Sequence, residues 1–187
     1  MMRPTKLALY LLLFLSTSAS FAAFRPQSRD HLTPQEVDLV KEAQILDKRI
    51  DVFVKAADRR LLVLSGGAAA NEKQLKKDSE RWGDLPTGSR AELVGDIAHI
   101  FDEAITNIDD VSSRDERNPL IPKALRKLAA AVTRIVDQLA ALRAQAKGDA
   151  EIASFELLNE DAQSILEAAK KLPPEVDKKA KGKTAKN

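Results

Sequence analysis

Residues 33–67 read TPQEVDLVKEAQILDKRIDVFVKAADRRLLVLSGG, and this stretch decides the fold. Thr33, Pro34, Gln35 and Glu36 form a helix start. The Thr hydroxyl can accept from the Glu36 amide, and the Glu carboxylate can return to the Thr33 amide, while Pro34 occupies the first turn. Leu32 and Val37 flank this capping box as a hydrophobic staple. Downstream, Leu39, Ala43, Leu46, Ile50, Phe53, Ala57, Leu61 and Leu64 recur at spacings of three and four, the signature of one helical face. Ser65, Gly66 and Gly67 supply the stop. A second stripe, Ile45, Val52, Ala56 and Val63, lies about 100° around the same helix. Two apolar stripes require two neighbours, so this helix is expected at the centre of an all-helical fold.

The rest of the chain repeats the pattern. Residues 68–82 are polar and helix-permissive, with only Leu75 and Trp82 to bury, and predict a short helix followed by turn residues 83–88. Ser89, Arg90, Ala91 and Glu92 make a second capping box. It opens a helix whose face carries Val94, Ile97, Phe101, Ala104, Ile108 and Val111. Asn118-Pro119 breaks that helix. After Pro122 a third pattern runs through Leu125, Leu128, Val132, Ile135, Leu139, Leu142 and Ala146, with Lys147 and Gly148 as stop signals. Asp149 is then expected to cap a fourth helix bearing Ile152, Phe155, Leu158, Ala162, Ile165, Ala169 and Leu172, closed by Pro173-Pro174. The prediction is an all-α, antiparallel four-helix bundle over residues 33–172, with a long, partly helical first connection. Phe53, Phe101 and Phe155 are expected to fill its core.

The two ends read differently. Arg3 and Lys6 precede nine unbroken apolar residues, 7–15, and Ser20 and Ala22 place small side chains at a cleavage site. This is the form of a secretory signal peptide over residues 1–22, far short of the ~20 apolar residues of a transmembrane helix. It implies export to the periplasm or beyond and a leader at residues 23–32. With the signal removed, 28 basic residues face 28 acidic ones, so the precursor's net +2 implies no nucleic-acid partner. The mature chain has no Cys, Met or Tyr, and roughly 165 residues can bury a core without disulfides. Residues 173–187 are expected to be a disordered basic tail, with Lys178, Lys179, Lys181, Lys183 and Lys186 able to attract anionic envelope surfaces.

Chemistry-bearing residues are sparse. A carboxylate-x-x-His pair, Asp96 and His99, continues into Glu103, and these three are the candidate metal ligands. Helical phasing turns them away from the Ile97/Phe101 stripe, so a solvated acidic face is expected. Without Met or Cys, no cofactor is expected: haem ligation by Met/His and soft copper sites lack their ligands. No serine stands in a nucleophile's context, the glycines form no phosphate loop, and Asp109-Asp110 diverge by about 100° on a helix. Trp82 is the one aromatic that could anchor a partner, although packing down over a bundle end is the simpler role. The expected function is therefore non-enzymatic, acting through protein or cell-envelope contacts. The alternative is a divalent-metal or small-ligand carrier on the Asp96/His99/Glu103 side.

Overall fold

The computed structural model describes residues 30–67 and 72–174; residues 1–29, which include the expected signal peptide, and 175–187, which include the five candidate lysines, lie outside the described residues. The described residues hold six helices: α1 (Pro34–Glu42), α2 (Leu46–Leu64), α3 (Glu72–Trp82), α4 (Arg90–Arg114), α5 (Leu120–Ala144) and α6 (Asp149–Lys170). No strand occurs among them. None of these helices is long and apolar enough to cross a membrane.

Both expected capping boxes form. Glu36 N–H donates to Thr33 Oγ1 at 3.3 Å and Thr33 N–H to Glu36 Oε2 at 2.9 Å. Ser89 and Glu92 repeat the exchange at 3.2 and 2.7 Å. The expected single helix from Thr33 to Leu64 is broken, however. Ala43 leaves helical geometry (ψ 81°) and Ile45 is extended (ψ 127°), so α1 folds back along α2. The Ala43 carbonyl, stranded by the break, accepts from Arg49 Nε at 2.9 Å. Ile45 is turned outward, 55% exposed, and leaves the second apolar stripe.

Two helix starts also shift. α5 begins at Leu120, and Pro122 falls inside its first turn, where its missing amide has no helical acceptor to lose. Asn118 Oδ1 accepts from the Leu120 amide at 3.0 Å and does the capping. Asp149 is the first residue within α6 and makes no cap bond; Gly148, at φ +83°, turns the chain into the helix. Glu151 caps instead, accepting from the Lys147 amide at 3.0 Å.

The long helices alternate in direction along the chain, but their arrangement in cross-section is less regular. α4 packs on α2 and α6, and α5 packs on α2 and α6. α4 and α5 also meet, whereas α2 and α6 do not. The section is a rhombus with α4 and α5 across its short diagonal. Side-chain pairs fix the directions. Arg49 meets Asn107 (3.0 Å) and Arg60 meets Asp96 (3.7 Å), so α2 and α4 are antiparallel. Asp47 binds Lys123, Asp51 binds Lys127 (2.5 Å) and Asp58 binds Arg134 (2.7 Å). Those three pairs rise together along the chain, so α2 and α5 are parallel neighbours. The Lys123 hydrogen bond holds the Asp47 carboxyl below its ordinary range.

The core runs through all four long helices. Ile50, Phe53, Ile97, Phe101, Leu128, Ile135 and Ile165 are fully buried, and Phe155 is 4% exposed. All three phenylalanines singled out by their spacing belong to this one cluster. Phe101→Ala should lower unfolding free energy by about 3–5 kcal/mol, while Ile45→Ala, at an exposed site, should stay within about 0.5 kcal/mol. Urea denaturation followed by circular dichroism checks both.

Candidate functional site

Two arginines that occupy consecutive positions on α2 are both buried: Arg59 is 3% exposed and Arg60 is 1%. Burying a guanidinium requires a counter-charge and hydrogen-bond acceptors. Glu36, itself 0% exposed, supplies the charge to both. Its Oε1 lies 2.7 Å from Arg60 Nη1 and 3.0 Å from Arg59 Nε. Arg60 also donates to the Ala56 carbonyl (2.9 Å) and the His31 carbonyl (2.6 Å). Arg59 Nη2 donates to the carbonyls of Gly83 (3.2 Å) and Asp84 (2.5 Å). Burial pulls the Arg59 guanidinium below its ordinary value, and the Glu36 charge opposes that shift. One polar node thus joins the segment before α1, α1, α2, the α3–α4 loop and α4.

Asp96, expected on a solvated face, is part of this node. It is 5% exposed, and its carboxylate lies 3.7 Å from Arg60 Nε. Helical phase alone did not anticipate this, because the buried Arg60 of α2 reaches across to the Asp96 carboxylate. Asp96 is therefore removed from the candidate metal set. His99 is exposed and Glu103 half-buried, and they are joined by a residue the sequence left in the leader. His31 Nε2 stands 2.7 Å from Glu103 Oε2. Its ring centroid is 5.8 Å from that of His99. Asp161 of α6 completes the patch. Burial, then the charges of Asp102 and Glu160, push its carboxyl up to about 6, and His99 opposes them. Among the described residues, no group of three or more His, Cys, Asp or Glu side chains is placed so that it could hold a metal ion.

Above the arginine node lies an open cleft of about 740 Å³. Leader residues Asp30 and Leu32, helix residues Pro34, Val37 and Lys41, and loop residues Asp84, Leu85 and Pro86 line it, with Arg60 at its floor. Its apolar strip has a rim of three aspartates (Asp30, Asp38, Asp84) against Lys41. No periodicity marks this cleft in the sequence, because it forms where a leader, a short helix and a loop converge. Trp82 ends α3 and precedes the loop that supplies part of the cleft. It is half-buried, and the Arg59 guanidinium lies 5.7 Å from its ring centre in a cation–π contact. That contact fastens the end of α3 to α2.

Glu36→Ala should cost about 3–5 kcal/mol, because it leaves two guanidinium groups buried without their shared counterion. Thr33→Ala, which loses only the cap, should cost about 1 kcal/mol. Chemical denaturation separates the two. For Asp161 the raised value, about 6 against 3.8 unfolded, means that its contribution to stability is present at low pH and lost as pH rises through about 6. Asp161→Asn should therefore gain on the wild type at pH 7.5 relative to pH 4.5; an equal difference at both pH values would refute the assignment.

No protein-family model, curated protein or solved structure matches this chain.

Proposed function

We propose that this protein is an exported, non-enzymatic binding bundle whose cleft over α1 and the α3–α4 loop receives a segment of a partner protein. The observation that supports this reading is the cleft itself. It is open, large enough for several side chains, and built on a floor whose charged groups are already engaged with one another. An apolar strip from Leu32, Val37, Leu85 and Pro86 would take the apolar side of an extended or helical segment. The aspartate-rich rim favours basic residues beside it. The scaffold below is braced by the Asp47, Asp51 and Asp58 ladder with α5. The basic residues of 177–187 would add a weak, salt-sensitive attraction to anionic envelope surfaces.

A photo-crosslinking side chain placed at Gln35 or Thr87, both exposed at the cleft, should yield a discrete heavier adduct in native envelopes. The same group at Ala140, exposed on α5 away from the cleft, should yield none. Monomer alone from the cleft positions would overturn the reading. Mass spectrometry of the exported chain should find its N-terminus at Ala23.

A further inference from the structure

The apolar strip and acidic rim of the cleft match a segment of this same chain. Residues 23–29, Ala-Phe-Arg-Pro-Gln-Ser-Arg, directly precede Asp30, which stands on the cleft wall. We propose that this segment docks in the cleft as an intramolecular occupant that a partner must displace. Phe24 and Pro26 lie on the apolar strip, and Arg25 and Arg29 meet the aspartates of the rim. The docking stands on the match between segment and cleft, whereas its control of partner access rests on the reading of the cleft as a binding site.

Charge selects the occupant. The segment carries two arginines and no acid. Asp30, Asp38 and Asp84 are all exposed at the rim. Against them stand Lys41, whose ammonium lies 3.5 Å from Asp38, and Arg60, which is buried and engaged with Glu36. Cleavage after Ala22 would add a third positive charge, the α-amino group of Ala23. The other basic stretch, residues 177–187, matches the rim but not the strip, since its only apolar side chains are Ala180 and Ala185.

Pattern and reach agree. Pro26 biases Arg25 towards extended backbone. Side chains alternate along an extended chain, so Phe24 and Pro26 share one side while Arg25, Gln27 and Arg29 share the other. That division reproduces the strip and the rim. The flank of α1 from Pro34 to Lys41, which forms one wall, rises about 10 Å. Seven extended residues span up to roughly 24 Å, enough to follow it from Asp30. A smaller recess of about 220 Å³ also borders Asp30, but its other acid, Glu103, is already joined to His31 at 2.7 Å. The cleft is the better match. Tethered at Asp30, the segment meets it at an effective concentration of the order of 1 mM. A contact of about 0.1 mM intrinsic affinity would then be made roughly nine-tenths of the time and weaken a competing partner about 10-fold.

The test uses the exported chain, which begins at Ala23, with a photo-crosslinking side chain in place of Phe24. Irradiation of the purified protein at low micromolar concentration should give a monomer with an internal crosslink. Mass spectrometry should map that crosslink to residues 32–41 or 84–87. Arg25→Glu combined with Arg29→Glu should cut its yield at least about 5-fold. In native envelopes the same double variant should raise the partner adduct formed from Thr87. A crosslink confined to residues outside the cleft, a product joining two molecules, no product, or a yield unchanged in the double variant would each overturn the docking. An internal crosslink with an unchanged partner adduct would overturn the control of access. Absence of any partner adduct would instead sink the partner reading, and the internal crosslink, formed with no partner present, would still decide the docking.

Discussion

A single carboxylate, Glu36, holds two consecutive guanidinium groups in the interior, and the rest of the architecture is arranged around that constraint. Consecutive helical residues point about 100° apart, so Arg59 and Arg60 reach opposite flanks of α2. Arg59 turns toward Trp82 and the loop carbonyls of Gly83 and Asp84. Arg60 turns toward the leader carbonyl of His31 and the Asp96 carboxylate on α4. Glu36 sits between them and simultaneously closes the capping box of α1. Desolvating these groups offsets much of their mutual attraction, so the node contributes little to net stability by being present. Its consequence is specificity: any arrangement that moves α1 away takes from both buried guanidinium groups the carboxylate they share.

That constraint explains the break at residues 43–45. Glu36 and Arg60 are 24 residues apart, about 36 Å along a straight helix, yet their charged atoms lie 2.7 Å apart. The chain gives up a turn of helical hydrogen bonding and recovers part of it through Arg49, which donates to the released Ala43 carbonyl. Folding α1 back sets it against α2 and α3. It also leaves a recess and a cleft on either side of the leader. Both hollows thus follow from the same reversal.

The ladder between α2 and α5 acts at a different level. Its three pairs keep one register, each joining residues 76 positions apart; the Asp51 and Asp58 pairs lie at the surface, whereas Asp47 is buried. Exposed pairs of this kind are individually worth little. Together they favour packing α5 beside α2 in this register over one slipped by a turn, which would keep only one Asp–Lys pair and leave Asp58 and Arg134 without each other. The apolar faces alone are too uniform in Leu, Ile, Val and Ala to make that choice.

The sequence by itself determined the helical class, both capping boxes and the three core phenylalanines. Each of these is set by neighbours within one or two turns, where periodicity and capping chemistry act. It did not disclose the break before α2, because Ala43, Leu46 and Ile50 keep three-four spacing whether the axis runs straight or reverses, and no Gly or Pro marks the turn. Helical phase could place Asp96 and His99 on one side of α4, but only packing decided that one would be covered and the other left open. His31 entered the site for the same reason: its partner lies 72 residues away, and pairing over such a distance depends on which helices lie side by side. Here that choice follows from shape and from the matching of buried charge, which reside in the assembled structure.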